Sequence, residues 1–174
     1  MIIRQAEAKD ALGIARVHVD SWRTTYAGIV SDEFLASLSY EGREKMWRDA
    51  LSSPASQSFL YVAETLEREI AGFASAGPER DRDENYQGEV YALYLLQSQQ
   101  RKGIGSLLFR AAARELQTQG HRSLLVWVLQ ANPSCKFYEA LGGEYVREKN
   151  IEIGSRQLVE VAYGWKDIQI LTGK

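Results

Sequence analysis

The sequence predicts a mixed α/β fold, on three observations. An apolar run over 90–96 leads into a polar turn bearing Gly103 and Gly105, and an amphipathic run over 104–119 leads out of it. A second continuous apolar run, Leu124–Leu129, follows after Gly120, as expected for a strand covered on both faces. Strand, helix and strand at this spacing form a βαβ unit with two parallel strands and a right-handed crossover. Thirdly, paired strand patterns lie on both sides of the unit, at 59–65 with 70–76 and at 144–153 with 156–165, and these read as antiparallel hairpins. The sheet is therefore expected to be mixed.

Taken in order, residues 2–6 read as a first strand. Asp10 stands as N-cap to a helix on which Leu12, Ile14, Ala15, Val17, His18 and Trp22 recur at helical spacing, ending near Trp22. His18 falls on the apolar stripe, where structural burial is the default reading of a histidine. A break at Gly28 precedes a short helix over 33–38, capped by Ser31 or Asp32. A third helix over 41–51 directs Met46, Trp47 and Ala50 inward and ends at Ser52-Ser53-Pro54. The hairpin 59–76 turns at the charged residues 67–69. The polar stretch 78–88 is an exposed loop, with solvated surface as the default reading and a flap over a site as the other.

Residues 89–96 form the central strand. The helix after the glycine turn buries Ile104, Leu107, Leu108, Ala111 and Leu116, turns Arg110, Arg114 and Gln117 outward, and stops at Gly120. Asn132-Pro133 opens a last helix over 134–141, closed by Gly142-Gly143. The final hairpin turns at Gly154-Ser155.

The 174 residues are expected to form one domain, 1–174, long enough to bury a core. A net charge of −2 gives no global attraction for nucleic acid, so any basic site is local. A single cysteine, Cys135, rules out an intramolecular disulfide, and with only two histidines a metal site is not expected. The first residues do not read as a signal peptide, and no apolar run reaches the roughly 20 residues of a membrane helix. A soluble, cytoplasmic protein is the expectation.

The chemistry concentrates at the turn Gln100-Arg101-Lys102-Gly103-Ile104-Gly105-Ser106. Two glycines let the backbone approach a ligand, and the helix that follows offers unpaired N–H groups and the positive end of its dipole. That combination takes phosphate or another anion, and Arg101 and Lys102 add charge. For an isolated G-x-G, an ordinary βα turn in which the glycines only relieve sterics is the preferred reading. The phosphate loop of nucleotide hydrolases needs a lysine after the second glycine, but here Lys102 precedes Gly103. The dinucleotide fingerprint needs a glycine where Leu108 stands.

The order central strand, Gln100-x-x-Gly103-x-Gly105, helix, strand, then Asn132-Pro133-x-x-x-Phe137-Tyr138-Glu139-x-Leu141-Gly142-Gly143 resembles the GNAT superfamily of N-acetyltransferases. The resemblance is strongest over 89–143 and extends over about 1–165. The stretch Trp22-Arg23-x-x-Tyr26-x-Gly28 is similar to one bacterial subgroup. The resemblance implies a GNAT-like acyl-CoA N-acyltransferase fold and an acetyl-CoA-dependent enzyme that needs no metal. Its main-chain groups at Leu93, Tyr94 and Leu95 meet the pantetheine arm. Gln100, Arg101, Lys102, Gly103, Ile104, Gly105 and Ser106 wrap the pyrophosphate. Asn132 resembles the asparagine near the pantetheine end, although it precedes Tyr138 by six residues where many members have seven. Tyr138 resembles the tyrosine that protonates the leaving thiolate. The first helices of the family usually line the acceptor site, which puts Trp22 and Tyr26 at its wall.

Acetyl transfer needs a neutral amine, and a lysine-like amine is neutral in roughly one molecule in 2,500 at pH 7. Glu89 is the base expected to remove the proton. Strand alternation puts it on one face with Tyr91, Leu93 and Leu95, and a carboxylate entering an apolar strand would be unfavourable if buried idle. Pairing of Glu89 with a nearby cation, and Tyr138, Trp22 and Tyr26 as core aromatics, stand as the structural alternatives. The expected function is transfer of an acetyl group from acetyl-CoA to a primary amine, on a small molecule, a protein N-terminus or a lysine, by direct attack. The rivals are a catalytically weak acyl-CoA-binding regulatory or scaffold module and a nucleotide-binding βαβ protein. No nucleic-acid or membrane partner is expected. The residues do not name the amine, and a homodimer fits the resemblance.

Overall fold

The computed structural model describes residues 1–53 and 57–173. Among the described residues seven strands form one sheet, β1 (Ile2–Gln5), β2 (Phe59–Glu64), β3 (Ile70–Pro78), β4 (Gly88–Leu95), β5 (Leu124–Leu129), β6 (Glu144–Ile153) and β7 (Arg156–Trp165), in the order β1-β2-β3-β4-β5-β7-β6. Every neighbouring pair is antiparallel except β4 with β5, which is parallel as the βαβ reading requires. The last hairpin has the expected bounds. It docks through its second strand, so β7 lies between β5 and β6.

The helices that accompany the sheet are α1 (Ala11–Thr25), α2 (Asp32–Ser37), α3 (Tyr40–Ser52), α4 (Ile104–Thr118), α5 (Cys135–Ala140) and α6 (Gln169–Thr172). Helix α1 starts after a 3-10 turn, Ala8–Asp10. Asp10 does not cap it with its side chain. Its carboxylate instead accepts from the Glu7 backbone N–H at 2.8 Å and from Arg4, an ion pair that ties the turn to β1. Ser31 caps α2 by accepting from Phe34 N–H. In α3 only Trp47 is buried, whereas Met46 and Ala50, expected inward, are exposed, because this helix packs on α1 along a narrow edge. Pro54, expected to end α3, lies outside the described residues.

Helix α4 covers one face of the sheet. Ile104, Leu108, Phe109, Ala112, Ala113 and Leu116 meet Ala74, Ala76, Val90, Leu124, Val126 and Val161 there. Leu107, expected inside, is 53% exposed, since the stripe runs through Phe109 and Ala112 instead. Arg110, expected outward, is half-buried and donates to the Leu171 carbonyl, fastening α6, a helix without a signal in the sequence. On the opposite face α1 and α3 enclose Leu60, Val62 and Phe73.

Strand β4 carries a bulge. Ser75 of β3 pairs with Ala92 and Ala76 with Val90, leaving Tyr91 as the extra residue. The bulge reverses the alternation. Leu93 and Leu95 therefore join Val90 in the core beneath α4, while Ala92 and Tyr94 face α1. The expectation that Glu89 shares a face with Leu93 and Leu95 is corrected accordingly. Glu89 lies on the α1 side, as does its β5 neighbour Leu125, which packs with Tyr86, Ala162 and Trp127.

Candidate functional site

Strands β4 and β5 are paired only from Gly88 to Val90 against Leu124 to Val126. Beyond that they part, and Tyr91 to Leu95 become partly exposed in the middle of the sheet. Half of the main-chain groups of an edge that faces a gap have no ladder partner, and a ligand strand or arm can complete them. The gap opens at the carboxyl ends of two parallel strands, the usual place for ligands in such units.

The glycine turn stands at the mouth of this gap. Gly103 is N-cap of α4 with φ 79°, and Arg101 also has a left-handed φ of 61°. Among the described residues no side chain caps this helix, so the first-turn N–H groups of a 15-residue helix can face an anion. A Cβ at Gly103 would meet no atom of the described residues within 4 Å. A Cβ at Gly105 would touch Phe137 at 3.5 Å and Leu95 at 3.6 Å, an ordinary contact. Lys102 donates to Gln99 Oε1 at 3.3 Å, and Gln100 Nε2 lies 3.5 Å from the Leu95 carbonyl, joining the strand end to the turn. Ser106 Oγ accepts from Arg110.

Across the gap, α5 presents Tyr138. Its ring is buried against Phe109, Phe137 and Tyr163. Burial holds the phenol well above its ordinary pKa, with Tyr94 and Cys135 as lesser contributors. Among the described residues no group hydrogen-bonds the Tyr138 hydroxyl, which leaves a protonated donor unspent. Asn132 is buried at the β5–α5 turn. Its Oδ1 accepts from Ser134 N–H at 2.9 Å and its Nδ2 donates to the Tyr26 hydroxyl at 3.4 Å. Tyr26 thus reaches across from the end of α1, and the residues expected at the acceptor wall and at the cofactor arm touch. Trp22 packs on Tyr26 with ring centroids 4.7 Å apart, and on Phe34 and Tyr94. Burial raises the Tyr26 and Tyr94 phenols as well. The Trp22 indole N–H has no well-aligned acceptor among the described residues, although it lies close enough to the Tyr94 hydroxyl to favour that group's ionised form.

His18 is a core residue, as its stripe implied. Trp47 Nε1 donates to His18 Nδ1 at 3.1 Å, and Tyr94 stacks on the ring at 5.3 Å. Burial, with Arg43 adding to it, lowers its pKa to about 3, so the ring is neutral. Cys135 rests near the carbonyls of Leu129 and Gln130, and burial raises its thiol, so it is no nucleophile.

Glu89 is 1% exposed and not idle. Its carboxylate takes a fork from Arg80, with Nη2 on Oε1 and Nε at 3.1 Å on Oε2, plus the Arg80 backbone N–H at 3.3 Å. The guanidinium also lies 4.4 Å over the Tyr91 ring. Arg80 belongs to the polar stretch after β3, and no local pattern in the sequence announces this pair. Nearby, Trp127 carries Lys149 3.9 Å over its ring and Arg147 at 5.3 Å. Lys149 and Arg147 pair in turn with Asp81 and Asp83. Glu160 of β7 completes this acidic and basic patch; sequence reasoning gives it no role. No group of three or more His, Cys, Asp or Glu able to hold a metal occurs among the described residues, and none of their helices is long and apolar enough to cross a membrane. An open depression lined by Glu79, Arg82, Asp83 and His121 sits by the start of β5.

Comparison with known proteins agrees with this geometry. Residues 81–151 match the family model described as FR47-like protein. The uncharacterized N-acetyltransferase YuaI of Bacillus subtilis is 43% identical over 169 residues, covering 97% of this chain and 95% of that protein. The spermidine N(1)-acetyltransferase of Thermoplasma acidophilum is 24% identical, over 86% of this chain and 97% of that one. In fold, the PaiA N-acetyltransferase of T. acidophilum, solved in complex with coenzyme A, superposes with a TM-score of 0.70 at 21% identity, covering 92% of this chain and 96% of that one. The split sheet, the uncapped glycine turn and a near full-length relative lead to one assignment: the chain belongs to the GNAT superfamily of N-acetyltransferases.

Proposed function

We propose that this protein transfers the acetyl group of acetyl-CoA to a primary amine of a small molecule, a protein N-terminus or a lysine. The observation that carries the reading is the parting of β4 from β5 after Val90, with an uncapped helix N-terminus at one side of the gap and an unpartnered, buried tyrosine at the other. The pantetheine arm completes the main-chain edge at Leu93, Tyr94 and Leu95. The pyrophosphate is held by N–H groups from Arg101 to Ser106, with Gln100 bracing the turn. Asn132 adjoins the arm near its thioester end. The acceptor enters on the α1 face, along the wall of Trp22 and Tyr26, and loses its proton to a carboxylate of that face, where Glu89 and Glu160 lie. The neutral nitrogen attacks the carbonyl, and Tyr138 donates to the departing thiolate.

The relatives supply a direction for the acceptor. One is named for spermidine and another, from Streptomyces viridochromogenes, for phosphinothricin, both small amines. Incubation with acetyl-CoA and amines of each class, with free thiol and acetylated product followed together, tests the reading. Product formation with at least one class is expected. Thiol release without an acetylated amine would refute it.

A further inference from the structure

We propose that Glu160, and not Glu89, is the carboxylate that takes the proton from the acceptor amine. The inference rests on the acetyl-transfer reading and assigns its base. Both carboxylates lie on the α1 face. Glu160 pairs across β7 with Leu129, at the free end of β5 beyond the point where β4 has parted, and with Lys149 on β6. Its neighbours two residues away on the same face are Leu158, packed with the Trp22, Tyr26 and Tyr94 cluster, and Ala162, packed under Tyr86. Glu160 thus occupies the floor between the acceptor wall and the segment bearing Arg80.

The two carboxylates differ in what holds them. Both oxygens of Glu89 are engaged by the Arg80 fork, so neither is open to an incoming ammonium group. The Glu160 carboxylate has no hydrogen bond and no ion pair among the described residues. Lys149, its cross-strand neighbour, is drawn to Asp81 at 3.3 Å and to the Trp127 face. The charged and titratable groups that face Glu160 are Lys149 from β6, Arg80 and Asp81 from the segment after β3, and Glu89 and Tyr94 from β4. Burial is the largest influence, outweighs the two cations, and raises its pKa above the ordinary carboxylate range. An unpaired carboxylate moved toward neutrality is what general-base work requires.

The step balances. One Glu160 oxygen takes a proton from R–NH3+, directly or through one water, and later returns it to solvent. The free amine forms the C–N bond, the C–S bond breaks, and the thiolate takes the Tyr138 proton. The second proton lost by the nitrogen as the amide forms restores the Tyr138 hydroxyl.

The test is kcat/KM against pH for an amine the wild type turns over, at saturating acetyl-CoA. Four proteins are compared: wild type, Glu160→Gln, Glu160→Asp and Glu89→Gln. Glu160→Gln should lose roughly 10²- to 10⁴-fold at pH 7, replace the acidic limb set by the carboxylate with a rise that follows the free amine, and converge on wild type as pH nears the amine pKa. Its KM for acetyl-CoA should be unchanged, and its melting temperature equal to or above wild type, since an unpaired half-buried charge has gone. Glu160→Asp should recover part of the rate. Glu89→Gln should keep the acidic limb. An active wild type with an unmoved profile in Glu160→Gln, or loss of the limb in Glu89→Gln alone, would overturn the proposal. A wild type inactive toward every amine class would instead remove the acetyl-transfer reading together with its base. Carboxyl-carbon NMR gives a readout independent of turnover: the Glu160 titration should lie above the ordinary range, and a midpoint at or below that range would contradict the assignment.

Discussion

The two glycines of the α4 turn should respond differently to a single added methyl group. Gly103 has φ 79°, and a Cβ there meets no atom of the described residues within 4 Å. Gly103→Ala therefore imposes left-handed strain of roughly 1–2 kcal/mol without relief by packing. At about 2–4 °C per kcal/mol for a chain of this size, the melting temperature should fall by about 2–8 °C. On the proposed binding mode, the methyl group projects into the space that the pyrophosphate enters. Loss of one N–H contact to a charged oxygen removes about 1.5–3 kcal/mol, or roughly 10- to 150-fold in CoA affinity. Gly105 lies inside α4, and its Cβ would point at Phe137 and Leu95 at ordinary contact distance. Alanine is the better helix former there by about 1 kcal/mol. Gly105→Ala should therefore be as stable as wild type or more so, and bind CoA within about threefold of it. Calorimetric titration with CoA and thermal melts of the two variants decide the matter. Equal losses of affinity in both, or unchanged affinity in a folded Gly103→Ala protein, would refute the reasoning.

Other outcomes follow from the same geometry. Tyr138→Phe should lower kcat by roughly 10- to 10³-fold and leave acetyl-CoA affinity nearly unchanged, as measured by steady-state kinetics beside calorimetry. Tyr26→Phe, which removes the hydroxyl contacts to Asn132 and Tyr94 and keeps the ring, should raise KM for the amine more than KM for acetyl-CoA. The larger Tyr26→Ala change should also lower stability by about 3–5 kcal/mol in denaturant melts. Arg80→Gln removes the guanidinium from buried Glu89 but leaves the backbone N–H on its Oε2, and the Arg80 side chain is 60% exposed, so about 1–3 kcal/mol of stability should be lost. His18 is held neutral, with its pKa depressed from 6.5 to about 3. The unfolded state gains a proton that the folded state refuses, so stability should fall as pH drops below about 6.5, by at most about 1.4 kcal/mol per pH unit until about pH 3. His18→Gln, which keeps an acceptor for Trp47, should flatten that decline in melts recorded across the same pH range.

Much of the site can be read in the chain because its signals are local. The apolar runs on either side of a glycine turn dictate strand, helix and strand, and Asn132-Pro133 and Gly142-Gly143 mark the ends of the segment bearing Tyr138. What escapes is long-range or depends on one irregular pairing. The bulge at Tyr91 arises from the fit of β4 to β3, and it alone moves Leu93 and Leu95 to the core beneath α4 and separates Glu89 from them. The fork between Arg80 and Glu89 joins a loop to a strand end, so alternation can suggest a functional carboxylate without supplying its partner. Glu160 looks like any polar residue of an alternating edge strand until β7 is seen between β5 and β6. Periodicity alone points Met46 and Leu107 inward, and the breadth of each helix contact, which periodicity does not encode, leaves them exposed.

The central claim, acetyl transfer within the split between β4 and β5, is tested most directly by mass spectrometry of amine panels incubated with acetyl-CoA and either wild type or Tyr138→Phe. The account predicts an amine carrying one added acetyl group and an equivalent of free CoA, formed rapidly by wild type and slowly by Tyr138→Phe although both bind CoA equally. Acetylated product formed at the same rate by both proteins, or no acetylated amine from a wild type that binds CoA, would contradict it.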